Sequence, residues 1–190
     1  YYLRKQDKMI QNFDFMILDF IQSNIKNVFF DKIMPFITYL GSGGVIWIVI
    51  ALILLFLKKY RLCGIEMITG LLTGLLIGNI ILKNLIMRNR PCWINENIDM
   101  LISIPKDYSF PSGHTMSGFC CAVILLCFDK RIGIPAIALA SIIAFSRLYL
   151  YVHFPTDILA GGIIGCIIAF LVIFIFNKIK AKQKSCNIRQ

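Results

Sequence analysis

Long apolar runs separated by short polar and basic segments set the pattern of this chain. The runs comprise residues 33–57, 62–82, 112–128, a stretch from about 132 to beyond Arg147, and 158–176. A helix needs about 20 apolar residues to cross a bilayer. The pattern therefore predicts an all-α fold, a polytopic transmembrane helical bundle with five clear spans. We expect residues 1–190 to form a single membrane-embedded domain.

The segment 13–30, which precedes the first run, has a different pattern. Its apolar residues recur at the spacing of one helix face: Phe13, Met16, Ile17, Phe20 and Ile21. Three charged residues interrupt the segment, namely Asp14, Asp19 and Lys26. This pattern is typical of an amphipathic helix lying in the membrane interface, and five spans then place the N-terminus outside. If the segment instead crosses as a sixth span, the N-terminus lies inside.

Glycines predict where backbones come close. Residues 41–44 include three glycines and predict a loop or a close helix contact inside the first run. Further glycines at 70–78 and 161–165 have the spacing that lets membrane helices pack tightly, and they could leave a lateral opening.

Composition agrees with a membrane protein. Hydrophobic residues make up 58% of the chain, above the roughly 45–50% of soluble domains. The net charge of +10 comes from short clusters at the ends of apolar runs, which indicates membrane topology and argues against a nucleic-acid partner. The seven cysteines, Cys186 among them, contain no C-x-x-C pair, and we interpret them as small hydrophobic residues.

The basic clusters also predict orientation. Clusters at 58–61 and 130–131, together with the basic tail, are expected on the cytoplasmic side. The opposite, extracytoplasmic side then receives the unusual polar residues of the chain, which are Lys83, Arg90, Ser112, His114, Arg147, His153 and Asp157.

A phosphate site is the chemistry that these residues suggest. Pro111–His114 precedes an apolar run, so Ser112 can cap a helix whose free N–H groups, that of Gly113 included, attract an anion. Lys83 and Arg90 are seven residues apart and share one helix face if the helix continues to Pro91. Each feature alone also fits a structural role, as a helix cap or an interfacial charge.

Two histidines and an aspartate complete the arrangement. Pro155 suits the first turn of the last helix, which would let Asp157 accept the N–H of one His153 nitrogen and leave the other free as a nucleophile. Arg147 would join Lys83 and Arg90 in neutralising phosphate. His114 would protonate the leaving oxygen and then activate water. The chain has no set of metal ligands, and we expect neither a metal ion nor a cofactor.

Three motifs resemble the tripartite signature of the type 2 phosphatidic acid phosphatases. They are K-x6-R-P at 83–91, P-S-G-H at 111–114 and S-R-x5-H-x3-D at 146–157. The resemblance implies a metal-independent phosphatase with His153 as nucleophile, His114 as acid and base, and Asp157 as partner. It makes Lys83, Arg90, Ser112, Gly113 and Arg147 the phosphate ligands. Membrane members commonly have six spanning helices.

The resemblance also implies a substrate class, a lipid phosphate in a bacterial plasma membrane. Short members of this kind resemble undecaprenyl pyrophosphate phosphatases, and we favour that substrate over phosphatidylglycerophosphate or phosphatidic acid. Two other classes are open: oxidation of the vanadium haloperoxidase type, which occurs in larger soluble proteins, and non-catalytic lipid binding or transport, which would not need the two histidines. The pattern leaves the oligomeric state open.

Overall fold

Each apolar run is helical in the computed structural model, although some runs contain more than one helical segment. The structure describes residues 2–187 and the side chains of residues 9–183. Every regular element in this part of the chain is helical. The helices are α1 (Tyr2–Asn24), α2 (Val28–Gly41), α3 (Val45–Phe56), α4 (Arg61–Gly74), α5 (Lys83–Ile86), α6 (Pro91–Ile94), α7 (Gly113–Phe128), α8 (Lys130–Tyr149) and α9 (Pro155–Asn187). A 3₁₀ turn, Ser42–Gly44, joins α2 to α3, and a π-helical segment, Leu75–Leu82, joins α4 to α5.

Four stretches of the described chain are long and apolar enough to cross a membrane: Val28–Phe56, Arg61–Ile94, Lys130–Tyr149 and Pro155–Gln183. The remaining predicted span, 112–128, corresponds to α7, which has only 16 residues, about 24 Å against a hydrocarbon core of about 30 Å. It ends at Phe128 because Asp129 is extended and accepts a hydrogen bond from the Arg131 N–H as the cap of α8. The structure thus shows four membrane-length helices and one shorter apolar helix where five spans were predicted.

The N-terminal segment departs from the predicted bounds 13–30. Helix α1 ends at Asn24, and Asn27 then caps α2 by accepting the Phe30 N–H at 3.0 Å. An asparagine that bonds the backbone in this way favours a helix start over a helix interior. The segment 13–30 therefore contains the end of α1 and the beginning of α2, and it is not a continuous helix.

The face of α1 that packs against the protein carries a charged residue. Phe13, Met16 and Phe20 are 54–60% exposed. Asp14 and Leu18 are fully buried against the rest of the protein. In a membrane protein an exposed apolar stripe can face lipid, so the side that carries the aspartate is free to pack inward.

The stretch after α4 corrects a second prediction. Helix α5 ends at Ile86 because Met87 takes a left-handed conformation with φ of 47°. Arg90 is extended, and Pro91 begins the short helix α6 instead of ending a long one. Lys83 and Arg90 therefore do not share a helix face, and both instead donate to Asp107 of the following loop.

Helix α7 is the centre of the packing, with α4, α8 and α9 against it. Its residues between Thr115 and Leu125 are mostly buried. Gly161 of α9 lies so close that a Cβ there would come within 2.7 Å of the Ser112 carbonyl oxygen. The close packing predicted from residues 161–165 is thus confirmed, and it holds the start of α9 beside the start of α7.

The predicted break inside the first run is also present. Gly43 and Gly44 have φ of 59° and 72° in the turn between α2 and α3, a conformation that favours glycine. Among the described side chains the six cysteines are free, and four are buried as small hydrophobic residues. Cys186 lies outside the described side chains.

Candidate active site

One cavity of about 470 Å³ collects most of the predicted site residues. Six of the eight line it: Lys83, Arg90, Gly113, His114, Arg147 and His153. The other two, Ser112 and Asp157, are fully buried outside its lining. Helix ends and loops therefore bring together residues that are distant in the sequence.

Arg90 is held from several sides. Its guanidinium donates to the Val152 carbonyl at 2.7 Å, to the Asp107 carbonyl at 2.7 Å and to the Asp107 carboxylate at 2.8 Å. Lys83 donates to the other oxygen of the same carboxylate. Asp107, which the sequence analysis did not single out, therefore joins two of the three predicted phosphate-binding cations.

These cations keep Asp107 ionised. Partial burial raises the pKa of its carboxyl, but the Lys83 hydrogen bond and the Arg90 charge outweigh burial and lower the pKa to about 2. Arg147, the third cation, is held by Thr38 of α2, whose hydroxyl accepts from Arg147 Nη1 at 2.6 Å. Arg147 Nε is buried and has no hydrogen-bond partner within the described part of the chain.

The contacts of His153 define its tautomer. Arg90 Nη1 lies 3.2 Å from His153 Nε2, and because a guanidinium can only donate, Nε2 is the acceptor. The neutral ring then carries its proton on Nδ1. Burial, and after it the nearby positive charges of Arg90, Arg147 and Lys83, lower the pKa of His153 well below the ordinary value.

Asp157 lies behind His153, and Ser109 lies between the two side chains. The Asp157 carboxylate accepts from the Ser109 hydroxyl and, at 2.9 Å, from the Phe154 N–H. The distance from His153 Nδ1 is 3.4 Å to Ser109 Oγ and 3.6 Å to Asp157 Oδ2. The direct hydrogen bond expected from the i, i+4 spacing is therefore not formed, and the serine hydroxyl bridges the pair.

His114 is the second histidine in the cavity lining. Its Nε2 atom is buried and makes no hydrogen bond to any described residue. Gly41 of α2 packs against the ring, and a Cβ at that position would lie 2.8 Å from His114 Cδ2. The absence of a side chain at Gly41 therefore leaves the space that the imidazole occupies.

The Pro111–His114 turn differs in detail from the prediction. Ser112 occupies the N-cap position but its side chain makes no capping bond. Its N–H donates to the Asp157 carbonyl at 3.2 Å, and its hydroxyl accepts from Thr115 Oγ1 at 3.0 Å. The hydroxyl proton of Ser112 is left for another acceptor, and Gly113 lines the cavity.

Asp107, Ser109, Arg88 and Asp14 are site residues that the sequence analysis missed. Arg88 Nη1 donates to Asp157 Oδ1 at 2.6 Å, and its Nη2 donates to Asp14 Oδ2 at 2.6 Å. The available signal was weak: Asp14 is a charge inside an apolar helical pattern, and Ser109 lies just before the Pro111–His114 turn. Neither signal indicates a partner distant in sequence.

The charge of the lining determines the kind of ligand. It contains three cationic side chains and one carboxylate. No group of three or more metal-binding side chains occurs among the residues that the structure describes. Convergent lysine and arginine side chains beside a helix N-terminus are suited to an anion such as phosphate.

Comparison with known proteins gives a consistent result. The model of the PAP2 superfamily matches residues 61–181. An undecaprenyl-diphosphatase of Sulfolobus acidocaldarius is 33% identical over 140 residues, 73% of this chain and 67% of that protein. Phosphatidylglycerophosphatase B of Bacillus subtilis is 31% identical over 175 residues, 82% of this chain and 80% of that protein.

A solved structure extends the likeness to the fold. The crystal structure of a transmembrane PAP2-type phosphatidylglycerolphosphate phosphatase from Bacillus subtilis has a TM-score of 0.66 and 29% identity. The match covers 90% of this chain and 96% of that one. The apolar helices and this neighbour together identify a multi-pass membrane protein.

Proposed function

This chain belongs to the PAP2 superfamily of lipid phosphatases, and we propose that it hydrolyses a lipid phosphate or pyrophosphate at the extracytoplasmic membrane face through a phosphohistidine intermediate. The favoured substrate is undecaprenyl pyrophosphate, which would yield undecaprenyl phosphate. The observation that carries the proposal is the unprotonated Nε2 of His153, directed at Arg90 in a cavity that also contains Lys83 and Arg147.

In the first step the terminal phosphoryl group lies among the three cations, where it displaces the Arg90 N–H from His153. The Nε2 lone pair forms a bond to phosphorus while the bond to the leaving oxygen breaks. His114, which is neutral in the free protein, takes up a proton when the anionic phosphate binds and gives it to that oxygen. Lys83, Arg90 and Arg147 stabilise the charge on the non-bridging oxygens.

In the second step water replaces the lipid oxygen. The water oxygen attacks phosphorus while His114, now neutral, takes a proton from the water. The bond between phosphorus and His153 Nε2 breaks. Phosphate leaves and the imidazole is restored. Asp157, through Ser109 and the Nδ1 proton, holds the ring in one tautomer and stabilises its positive charge while it carries the phosphoryl group.

The turn at the start of α7 has a smaller part. Gly113 lines the cavity at the first turn of the helix, where the dipole favours an anion. Ser112 has a hydroxyl proton to contribute, since that oxygen already accepts from Thr115, but its side chain has to turn from its buried position outside the lining to reach the phosphate. The cations supply the charge that a metal ion would otherwise supply, so the proposed reaction requires none.

The proposed topology has five crossing segments, with α7 as the shortest. At the end of the bundle far from the cavity, Tyr60 donates to Asp129 at 3.0 Å and joins the basic loops 58–61 and 129–131. Such basic clusters favour the cytoplasmic side, which leaves the cavity facing outward. A cysteine at Lys106 should react with an impermeant thiol reagent in intact cells, and one at Lys59 should not.

Helix α1 would lie across the outer end without crossing. Asp14, Asp19 and Gln22 are spread over more than two turns, yet all bond to residues 149–156. That stretch contains the loop between α8 and α9, so α1 follows the end of the bundle. This placement supports an amphipathic helix in the outer interface.

Part of the cavity lining is apolar and suits a lipid chain. It consists of Ile48, Leu71, Leu75 and Met116, together with the glycine turn at 41–44. The substrate phosphate could then lie among the cations while its chain remains in hydrocarbon. Phosphatidylglycerophosphate is a second candidate, because a phosphatidylglycerophosphatase and a solved PAP2 structure of that activity are among the relatives.

The test is phosphate release by the detergent-purified protein in EDTA. Undecaprenyl pyrophosphate, phosphatidylglycerophosphate, phosphatidic acid and free pyrophosphate are compared for the wild type and for His153→Ala. We expect lipid turnover that survives EDTA and is lost in the variant, with an acid-labile, base-stable phosphoenzyme that an alkaline detergent quench traps in the wild type. Undiminished release by His153→Ala would contradict the mechanism, and equally fast hydrolysis of free pyrophosphate would contradict the lipid substrate.

A further inference from the structure

Asp14 is a fully buried carboxylate on α1, none of whose described side chains lines the cavity. It accepts hydrogen bonds from Arg88 Nη2 at 2.6 Å, from Thr156 Oγ1 at 2.6 Å and from the Thr156 N–H at 3.1 Å. A buried carboxylate is costly unless it is paired, so these bonds account for its place in the fold. They also connect α1 to the first turn of α9, the turn that carries Asp157.

Arg88 lies between two carboxylates. Through Nη1 it donates to Asp157 Oδ1 at 2.6 Å, and through Nη2 to Asp14. Its guanidinium carbon stacks 4.1 Å from the centre of the Phe154 ring, on the residue that follows His153. Planar guanidinium groups fixed on two sides hold their partners in a defined orientation.

The two carboxylate oxygens of Asp157 therefore have different partners. Oδ1 accepts from Arg88, while Oδ2 accepts from Ser109 and lies 3.6 Å from His153 Nδ1. Arg88 lies outside the cavity lining, so it has no contact with a phosphate among the cations. Its effect on the reaction passes through Asp157.

Charge explains why Asp14 is required as well. One guanidinium shared by two carboxylates leaves Asp157 with part of its negative charge uncompensated. If Asp14 were neutral, Arg88 would act on Asp157 alone, and in this buried setting the attraction would be strong. Asp157 would then be a weaker acceptor for the Ser109 hydroxyl and a weaker stabiliser of the phosphorylated imidazole.

We propose that Asp14 and Arg88 form a positioning pair that sets the orientation and charge of Asp157, and through it the reactivity of His153. Helix α1 is then part of the active site, although it lies outside residues 61–181 that the family model matches. The inference rests on the proposed role of His153. It adds a contribution to catalysis from a helix whose sequence pattern indicates only membrane attachment.

The variants are Asp14→Asn, Arg88→Gln and the double variant, with Asp19→Asn as the matched control. The Asp14→Asn change keeps an acceptor for the Thr156 N–H, removes the charge, and puts an amide NH2 in place of the oxygen that accepts from Arg88 Nη2 and the Thr156 hydroxyl. Asp19 is exposed on the same helix and accepts from the Tyr151 hydroxyl at 3.1 Å, so its change tests the docking of α1 without the pair. The readouts are kcat, KM and inhibition by inorganic phosphate.

With Asp14→Asn we expect kcat to fall about tenfold to a hundredfold, the range for a slightly misplaced catalytic group. KM and the phosphate inhibition constant should stay within about twofold, because the cations are untouched. The double variant should be no slower than Arg88→Gln, since the two residues act as one unit. A kcat for Asp14→Asn within about twofold of the wild type overturns the proposal, and so does an equal loss in Asp19→Asn.

A second measurement does not depend on turnover. The chain has two histidines, so a ¹⁵N-histidine NMR spectrum contains two imidazoles, assignable with the His114→Gln variant. We expect Asp14→Asn to shift the His153 nitrogens away from the Nδ1–H tautomer and leave His114 unchanged. An unchanged His153 overturns the inference. A wild type that hydrolyses no lipid contradicts the proposed function, while the spectrum still decides the role of the pair.

Discussion

Asp107 should compete with phosphate for the cations that bind it. Its carboxylate contacts Lys83 and Arg90, and both are expected phosphate ligands. An incoming phosphoryl group therefore has to displace the carboxylate. Asp107→Asn removes the charge and leaves intact the bond from Arg90 Nε to the backbone carbonyl of residue 107, at 2.7 Å.

The pKa of Asp107 gives the size of the effect. Burial raises it, but Lys83 and Arg90 lower it to about 2 from an ordinary 3.8. At about 1.4 kcal/mol for each pKa unit the interaction amounts to roughly 2.4 kcal/mol. The side chain is 55% exposed, so solvent screening reduces this to about 1 kcal/mol, or about fivefold in affinity.

We therefore expect Asp107→Asn to lower both KM and the inhibition constant for inorganic phosphate about fivefold, with kcat unchanged or lower. Steady-state phosphate release at several phosphate concentrations measures all three. Asp99→Asn is the matched control, an exposed aspartate on the same loop, and it should leave them within about twofold. A rise in KM for Asp107→Asn would show instead that the carboxylate holds the cations in place for the substrate, and would refute the competition.

Three further predictions concern the histidines and Arg90. Burial and the Arg90 charge hold the pKa of His153 well below 6.5 in the folded protein. Below pH 6.5 the unfolded state therefore binds one more proton than the folded state. Thermal stability should fall as the pH drops below that value, and the fall should be less steep in His153→Gln. Gly41→Ala should displace the His114 ring and lower kcat at least tenfold, whereas Gly162→Ala, with contacts of 3.8 Å, should not. Arg90→Lys should lower kcat/KM about a hundredfold, because a lysine cannot keep the forked bonds to two carbonyls and a carboxylate; activity within threefold of the wild type would contradict that interpretation.

The helical architecture could be predicted from the sequence because membrane helices leave a strong signal. Long uncharged runs have few other structural solutions, and the limits of α8 and the start of α9 at Pro155 agree with prediction. The end of α5 could not be predicted, because it depends on the left-handed conformation of Met87, a residue with no local preference for it. The number of crossing helices also depends on α7, whose length is set by the cap at Asp129.

The residues that line the cavity were easier to predict than the residues that hold them in place. Lys83, His114 and Arg147 carry charge or polarity inside apolar surroundings, which makes them visible in a sequence. Asp14 was equally visible, but it was interpreted only as one of the charges that make the segment an interfacial helix and not a span. The pattern does not show which side of such a helix contacts the protein, and the packing of α1 on Phe154 and Tyr151 determines it.

The balance of charge in the cavity bears on turnover as well as on binding. Lys83, Arg90 and Arg147 contribute three positive charges and Asp107 one negative charge, so with neutral histidines the lining carries a net charge of two. That charge matches a phosphate dianion, which is a product of the reaction as well as part of the substrate. Three uncompensated cations would bind substrate and product more tightly alike, and uniform binding lowers KM without raising kcat. A carboxylate that returns to Lys83 and Arg90 when phosphate departs would favour product release, which is why the loss of Asp107 should tighten binding and still not make the enzyme faster.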